Sequence, residues 1–172
     1  MVKIAIAGGS SNVVNEIIDG LSATKSHDFV ILEIPVAIEP PGKRWVKADY
    51  GDPEQLASFL EGVHTVLSFV STQDNPSTTP QKNLINAAVR ANVKRFAPSE
   101  WASSTLDHLS WYTYKREIRR FLGELNKDSK VLEYNLFQPG MFMNYLTHPY
   151  PSAKHVHSME LLFDYLQMTT QQ

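Results

Sequence analysis

Several features are missing from the 172-residue sequence, and each absence excludes a class of function. There is no cysteine, so disulfide bonds, thiolate nucleophiles and sulfur-based metal sites are excluded, and we expect no metal site. There is no basic excess, since 16 Lys and Arg stand against 18 Asp and Glu, which argues against a nucleic-acid partner. The apolar start, VKIAIAGG, is too short to span a membrane, and no cleavage-site pattern follows it. These absences favour a soluble, cytoplasmic protein.

Short apolar runs alternate with helical patterns along most of the chain. The predicted strands are Val2–Ala7, His27–Ile34, Arg44–Ala48, Thr65–Val70, Lys94–Ala97 and Leu132–Phe137. The predicted helices are Asn12–Leu21, one that starts at Asp52-Pro53, Pro80–Ala91 and Trp111–Asn126. This alternation predicts right-handed crossovers and an α/β fold, a Rossmann-type doubly wound parallel sheet. We expect this domain to occupy residues 1–146 and a short tail, with one helical pattern in MELLFDYLQM, to occupy 147–172.

The stretch Ile4–Leu21, IAIAGGSSNVVNEIIDGL, has the strand, glycine turn and helix of a dinucleotide site. Such a site needs close backbone approach, free N–H groups and a helix N-terminus. Gly8 permits the tight turn, and the polar run Ser10–Asn12 can cap the helix or donate to a phosphate. Ser11 and Val14 stand where the usual pattern has its later glycines. The polar groups that can bind a phosphate are kept, but the two added side chains reduce the room for the ligand and for helix–strand packing. The turn alone is a weak signal, because any strand-to-helix turn uses such residues.

The end of the second predicted strand carries an acidic residue, Glu33. A carboxylate at this position can bond the ribose hydroxyls of a dinucleotide. The alternative, a solvent-facing strand residue, has equal weight. No Arg or Lys follows before Lys43, so specificity for NADP has no local support. The polar loop Ser71–Pro80 follows a strand directly and is either a ligand contact or a solvated connector.

One lysine borders the apolar stripe of the longest predicted helix. Lys115 lies at helical spacing from Ile118 and Leu122, so it faces the edge of that stripe. Beside a cleft it could bond a ribose, orient a nicotinamide or assist proton transfer. The pattern alone favours a snorkelling lysine that covers apolar surface. Three arginines of this helix, Arg116, Arg119 and Arg120, are expected on its solvated face, and Glu117 is available to pair with them locally.

The chain resembles a known family in several segments that occur in a fixed order. After the glycine turn these segments are ADYGDPEQLASFLEGVHTVLSFV, NLINAAVRANVKRFAPSEWA, YKREIRRFLGEL and FQPGMFMNYL. Together they resemble the NmrA-like and isoflavone-reductase-like proteins, atypical members of the short-chain dehydrogenase/reductase superfamily, and in particular fungal NmrA-like oxidoreductases. The resemblance extends to about Tyr145. It implies an NAD(P)-binding Rossmann domain with NADP or NAD as the cofactor.

The resemblance also implies roles for individual residues. The turn from Gly8 to Val13 would hold the pyrophosphate, and Lys115 would bind the cofactor and act in catalysis. With Glu33 included, the candidate cofactor-binding residues are Gly8, Ser10, Ser11, Asn12, Val13, Glu33, Ser68, Phe69, Val70, Lys115 and Gln138. The candidate substrate residues are Ser99, Glu100, Trp101, Phe142 and Asn144. The tyrosine of the usual Tyr-x-x-x-Lys motif is absent, because Trp111 occupies its place.

Three departures from the family pattern bear on function. The turn lacks its second and third glycines, Ile34-Pro35-Val36 replaces a basic residue after the second strand, and the sequence ends where relatives continue into their substrate region. Weak or lost cofactor binding is therefore an alternative to full NAD(P) binding. We also expect the substrate region to be largely missing, unless another chain, for instance in a homodimer, supplies it.

The expected function is NAD(P)H-dependent reduction of a small aromatic or secondary-metabolite-like molecule. Three alternatives remain. The chain could be a non-catalytic dinucleotide-binding regulatory protein, a degenerate fragment without function, or a scaffold recruited for non-redox chemistry such as isomerisation.

Overall fold

Strands and helices alternate along the part of the chain that the computed structural model describes, residues 1–33, 44–71, 77–147 and 149–157. The strands are β1 Lys3–Ala7, β2 Asp28–Glu33, β3 Arg44–Lys47, β4 Thr65–Ser68, β5 Arg95–Ala97 and β6 Glu133–Tyr134. The α-helices are α1 Asn12–Thr24, α2 Pro53–Phe59, α3 Thr79–Arg90 and α4 Thr113–Leu125. Short 3₁₀ turns at Ser110–Tyr112 and Met143–Leu146 complete the described elements.

The six strands form one sheet in the order β3-β2-β1-β4-β5-β6. Every neighbouring pair is parallel. The strand order reverses between β1 and β4, which is the switch point at which ligands bind in open α/β sheets. The prediction of a Rossmann-type parallel sheet is therefore confirmed, and the carboxyl ends of β1, β2 and β4 mark where a site is expected.

Local signals in the sequence explain where the first two helices begin. Ser11 precedes α1, and its hydroxyl accepts a hydrogen bond from the backbone N–H of Val14 at 3.4 Å. Asp52 precedes α2 and accepts from the N–H groups of Glu54 and Gln55, both at 3.0 Å, with Pro53 in the first turn. Each cap satisfies N–H groups that have no partner inside the helix.

The two faces of the sheet are covered unequally. Alternate residues of β1 point to opposite faces: Ala5 and Ala7 belong to the larger core, which contains buried aliphatic residues of α2, α3 and α4. Ile4 and Ile6 belong to a smaller core that contains Val14 and Ile18 of α1. Among the described helices, α1 alone covers the face of the sheet that carries Ile4 and Ile6. The surface of the sheet beside α1 is therefore open to other segments and to ligands.

Some predicted element bounds differ from the structure. The last strand was expected to reach Phe137, but β6 ends at Tyr134 and only the Asn135 N–H still bonds β5, at the carbonyl of Phe96. The neighbouring strand stops at Ala97 because Pro98 cannot extend a regular ladder, so later residues have no strand to pair with. The long helix was expected from Trp111, which instead lies in the 3₁₀ turn before α4.

Three segments named in the sequence analysis cannot be compared in this way. The predicted tail helix and the Ile34-Pro35-Val36 stretch lie outside the described residues, as do residues 72–76 of the polar loop.

Gly8 combines a left-handed backbone with a close approach of another segment, so a side chain there would be strained on both counts. Its φ is +82°, and a Cβ there would lie 2.8 Å from the carbonyl carbon of Phe69 and 2.9 Å from the backbone nitrogen of Val70. Gly8→Ala is therefore expected to lower the free energy of unfolding by about 1–3 kcal/mol. Urea denaturation measures the change.

Gly20 provides the matched control, because it lies in α1 and a Cβ there would meet nothing within 4 Å. Gly20→Ala is expected to raise the free energy of unfolding by about 0.5–1 kcal/mol, since alanine favours the helix. Equal stability of the two variants would contradict the close approach at Gly8.

Candidate functional site

The glycine turn is tied to the end of β2 by a buried tyrosine. The Gly8 N–H donates to the carbonyl of Leu32 and to the hydroxyl of Tyr50, both at 3.0 Å. The Tyr50 hydroxyl donates in turn to the Leu32 carbonyl at 2.9 Å. These bonds fix the direction in which the chain leaves β1. At Gly9 a Cβ would lie 2.3 Å from Cγ2 of Ile31, so this glycine is also required by packing.

The start of α1 has the open N–H groups of an anion site. Ser10, Ser11 and Asn12 are all exposed. Within the described ranges, no group accepts a hydrogen bond from the backbone N–H of any of the three. Free donors at a helix N-terminus attract negative charge, and phosphate in particular.

The two residues that replace family glycines have structural roles. Ser11 caps α1, as described above, and Val14 is completely buried in the smaller core. The space that Val14 fills is therefore interior to the helix–sheet contact. The exposed rim of the turn is formed by Ser10, Ser11 and Asn12.

Glu33 is buried, so the interpretation of this residue as solvent-facing is wrong. It ends β2 with 8% of its surface exposed. Its Oε2 lies 3.3 Å from the place that a Cβ on Gly9 would occupy. The carboxylate therefore lies against the glycine turn, on the side where Ile31 and Trp45 also contact Gly9.

Three aromatic rings stack across the carboxyl ends of β4, β5 and β6. The Trp101 indole lies 4.4 Å from the Phe69 ring and 5.1 Å from the Phe137 ring, with interplanar angles of 9° and 7°. Its Nε1–H donates to the carbonyl of Ser68 at 2.8 Å. Trp101 has a φ of +38°, a strained value for a bulky residue that is retained only where the surroundings enforce it.

The stack brings together the predicted residues Ser68, Phe69 and Trp101 and adds Phe137, which the sequence analysis did not select. The available signal was its place directly before Gln138 in a segment already assigned to the site. Val70, also predicted, is buried beside the glycine turn, where its backbone nitrogen approaches Gly8.

Lys115 is enclosed, so the interpretation as a snorkelling surface lysine is wrong. Only 5% of it is exposed, and its Nζ donates to the carbonyls of Ser99 and Glu100 at 2.8 and 2.6 Å. The rings of Tyr112 and Tyr114 flank the ammonium at 4.8 and 5.1 Å. Burial, with a smaller contribution from the nearby Arg119, lowers the pKa of Lys115 to about 8, although the charge of Glu100 acts in the opposite direction.

A buried ion pair lies directly beside this lysine. The carboxylate of Glu100, 1% exposed, accepts from Nε and Nη2 of Arg119 at 3.1 and 2.6 Å. Gln138 approaches the same carboxylate at 3.4 Å. The expectation that Arg119 lies on the solvated face is therefore wrong. A buried carboxylate needs a charged partner, and the i, i+4 spacing places Arg119 on the same side of α4 as Lys115.

The other charged residues of α4 give a mixed outcome. Arg116 and Arg120 are exposed as predicted. Glu117 does not pair locally: it binds the side chains of Lys82 and Thr78, because α4 packs beside α3. Sequence spacing within one helix gave no sign of that partner.

A cavity of about 630 Å³ lies between α1 and the segment after β6. The cofactor candidates Val13 and Gln138 line it together with the substrate candidates Trp101, Phe142 and Asn144. Ser99 and Glu100 do not line it; they are buried beneath it, where they hold Lys115. The cavity is therefore lined by three of the five substrate candidates and, among the cofactor candidates, by Val13 and Gln138; Lys115 and the rest of the glycine turn do not line it.

One wall of this cavity was not predicted from the sequence. Ala153 and Val156 line it, although they had been placed only in the short C-terminal tail. The backbone N–H groups of His155 and Val156 donate to Glu16 of α1, and Lys154 pairs with Asp19 at 2.6 Å. Two acidic residues one turn apart on α1 were the available signal.

Two features are absent from the residues that the structure describes. Within residues 1–33, 44–71, 77–147 and 149–157, no helix is long and apolar enough to cross a membrane. Over the same ranges, no cluster of His, Asp and Glu side chains has the arrangement of a metal site.

The buried ammonium of Lys115 should make stability depend on pH. Its pKa is lowered from 10.5 to about 8, so between these values the unfolded chain binds the proton more tightly and stability rises with pH. We expect the free energy of unfolding of the wild type, relative to that of Lys115→Met, to increase from about pH 8 to about pH 10. Urea denaturation across this range measures it, and a flat or falling difference would contradict the burial of the charge.

Comparisons with known proteins agree with this geometry. The NmrA-like family model matches residues 35–166. Oxidoreductase BOA1 of Botryotinia fuckeliana is 33% identical over 163 residues, 87% of this chain and 51% of that protein. The crystal structure of the NADPH-dependent quinone oxidoreductase QOR2 of Escherichia coli, complexed with NADPH, is 28% identical with a TM-score of 0.68, and the match covers 83% of this chain and 51% of that one.

A further similarity supports the fold alone. Crystal structures of pinoresinol-lariciresinol and phenylcoumaran benzylic ether reductases give a TM-score of 0.69 at 22% identity over 84% of this chain and 51% of that one. The chain thus spans about half the length of these relatives. The family model covers most of the sequence. The order of the glycine turn, the strands of the parallel sheet and the buried lysine also agrees with the order expected for that family. The chain therefore belongs to the NmrA-like family.

Proposed function

We propose that this chain provides the dinucleotide-binding half of an NmrA-like oxidoreductase that uses NAD(P)(H) and acts on a small molecule. One observation carries the proposal: Val13, in the turn with open N–H groups, also lines the apolar cavity. A single extended ligand with a charged middle and a flat ring at one end would fit both regions. The related E. coli structure, which contains NADPH, supports the same cofactor class.

The residues present fit such a cofactor. The backbone N–H groups of Ser10, Ser11 and Asn12, with the start of α1, would hold the pyrophosphate. The cavity walls formed by Trp101, Phe137 and Phe142 would exclude water from the ring, and Gln138 and Asn144 offer polar groups to orient it. When bound, the nicotinamide supplies or accepts a hydride.

The two faces of the Trp101 indole are already covered by Phe69 and Phe137. Trp101 can therefore present only its edge to a ligand in the cavity. We propose that the stack sets the depth of the cavity and keeps the end of β4 rigid, rather than serving as a stacking surface for substrate.

Lys115 is the proposed catalytic residue. A lysine with a pKa near 8 can hold and release a proton near neutral pH, as general acid catalysis requires. Its ammonium is bound by two backbone carbonyls beneath the cavity, so it would exchange one of them for a cofactor or substrate oxygen when the site is filled. The same bonds make Lys115 a support for the turn that carries Trp101.

The proposal is tested by titrating the purified protein with NADPH and NADH and following nicotinamide fluorescence. We expect saturable binding, and Lys115→Met should weaken it by about tenfold, equivalent to roughly 1.4 kcal/mol. Lys127→Met is the control, because Lys127 is exposed at the end of α4. Absence of saturation at millimolar concentrations of either cofactor would overturn the proposal.

A second variant separates binding from folding, because removal of Lys115 leaves two buried carbonyls without their donor. Val13→Glu places a carboxylate where the proposed pyrophosphate and ring regions meet. Val13 is only partly buried, so we expect a melting temperature close to that of the wild type and loss of cofactor binding by charge repulsion. Unchanged affinity in this variant would place the ligand elsewhere.

A further inference from the structure

The loop that follows β5 is held by side chains of two helices. This segment, residues 99–104, begins two positions after the end of β5 and is called the Trp101 loop below. The N–H of its first residue donates to Oε1 of Gln81 in α3 at 2.6 Å, and the carbonyl of the same residue accepts from Lys115 in α4 at 2.8 Å. Gln81 is only 1% exposed. The start of the loop therefore has a fixed position relative to both helices.

Arg119 binds the same loop at three residues. Its Nε and Nη2 donate to the carboxylate of Glu100 at 3.1 and 2.6 Å. Its Nη1 donates to the carbonyl of Ser104 at 2.9 Å, and Nη2 also reaches the carbonyl of Ser103 at 3.4 Å. A guanidinium is planar and presents its donors in a rigid fork, so these bonds fix the three loop residues relative to one another. Trp101 lies between them in the chain.

The loop needs support because Trp101 has an unfavourable backbone conformation. Its φ is +38°, a value that a bulky residue keeps only where the surroundings enforce it. In this conformation the indole stacks between Phe69 and Phe137, and its Nε1–H donates to the carbonyl of Ser68 at 2.8 Å. A loop that relaxed would carry the indole away from these partners and change the cavity wall.

Lys115 loses part of its hold on the loop whenever it binds a ligand. Its ammonium donates to the carbonyls of Ser99 and Glu100, and in the proposed function it exchanges one of them for a ligand oxygen. Arg119 lies one turn further along α4 and binds the Glu100 carboxylate and two later carbonyls instead. The hold of Arg119 on the loop is therefore the same whether Lys115 binds the loop or a ligand.

We propose that Arg119 is a positioning residue: it holds the Trp101 loop, so that the Lys115 ammonium can leave a loop carbonyl for a ligand oxygen without moving the cavity wall. The part that concerns Lys115 rests on the proposed function, whereas the hold on Trp101 does not. Arg119 does not line the cavity, so it acts through the loop. Because Glu100 balances its charge, the rigid fork is the property that this role requires.

The test follows the indole N–H resonance of Trp101 in a proton–nitrogen correlation NMR spectrum. The chain has 3 tryptophans, and Trp101→Phe assigns the resonance by its disappearance. The stacked rings displace its chemical shift, and the bond to the Ser68 carbonyl slows its exchange with solvent. The chemical shift reports the native conformation, so a variant that is merely less stable but keeps the same loop gives the wild-type shift.

Arg119→Lys keeps a positive charge beside Glu100 but removes the fork. We expect it to displace the Trp101 resonance and to speed its exchange with solvent by about tenfold, while the other indole resonances stay in place. Lys115→Met should displace the resonance less than Arg119→Lys does. Arg116→Met is the matched control, because Arg116 is an exposed arginine of the same helix, and it should leave the resonance unchanged.

A second variant removes the ion pair without leaving a buried charge alone. Loss of Arg119 by itself would leave the Glu100 carboxylate without its charged partner, so Arg119→Met is combined with Glu100→Gln. This neutral double variant is expected to fold and to displace the Trp101 resonance as Arg119→Lys does.

A binding measurement tests the connection between Arg119 and Lys115. In titrations followed by nicotinamide fluorescence, Arg119→Lys should weaken NADPH binding by about tenfold. Adding Lys115→Met to this variant should weaken binding by clearly less than a further factor of about ten, because residues that act in one network are not additive. Full additivity would overturn the connection between the two residues.

The outcomes separate this inference from the proposed function. An unchanged Trp101 resonance in Arg119→Lys and in the neutral double variant would overturn the inference and leave the loop to Gln81 and to the Gly140 N–H, which donates to the Ala102 carbonyl at 3.1 Å. A displacement in Lys115→Met as large as that in Arg119→Lys would also overturn it. If neither NADH nor NADPH binds, the proposed function fails together with the role given to Lys115, and the indole resonance still decides whether Arg119 holds the loop.

Discussion

The buried carboxylate of Glu100 is the interaction on which the candidate site depends. It is paired with Arg119 and approached by Gln138, while the backbone carbonyl of the same residue holds Lys115. One residue thus connects β5, α4 and the segment after β6. Breaking a buried pair by removing one partner typically costs about 3–5 kcal/mol, because the remaining charge has no compensation. The arrangement therefore favours a single conformation of the turn before Trp101.

That turn determines what the cavity can contact. With its backbone held from below by Lys115, Trp101 adopts a left-handed conformation and inserts between Phe69 and Phe137. The rings close the ends of three neighbouring strands, so the apolar wall of the cavity is built on the sheet itself. A site supported by rigid elements can keep its geometry when ligands bind. The charged groups of Glu100, Arg119 and Lys115 do not line the cavity, whereas the rings of Trp101 and Phe137 do.

The two residues that replace glycines in the first turn, Ser11 and Val14, have structural roles that explain their presence. Ser11 caps α1 and Val14 fills the core between α1 and the sheet. Among the described residues, no group accepts a hydrogen bond from the backbone N–H of Ser10, Ser11 or Asn12 at the start of the helix. The acidic end of β2 also has a specific position, since Glu33 is buried against Gly9. The cradle is therefore changed in shape and charge while its donors are retained.

The sequence by itself determined the class of fold and the order of its elements. Alternating strand and helix patterns, with caps such as Asp52-Pro53, depend on neighbours close in the chain, and these signals are local. The candidate site residues in the glycine turn and at Lys115 were selected by their resemblance to a family, because the local pattern alone gave a weak signal for the turn and favoured a surface position for the lysine. Element ends were less certain: β6 stops early because Pro98 ends the neighbouring strand.

Only the tertiary structure decided the environment of each charged side chain. By type and spacing Arg119 looked like a surface residue, and for Glu33 a solvent-facing position had equal weight with a ligand contact; in the structure Arg119 pairs with the buried Glu100 and Glu33 is itself buried. The Lys115 ammonium points inward onto carbonyls from a different segment, and the residues around Val156 reach α1 across more than a hundred positions of sequence. Charge burial and pairing depend on what the folded chain places nearby. Such contacts join residues far apart in sequence, which no local pattern encodes.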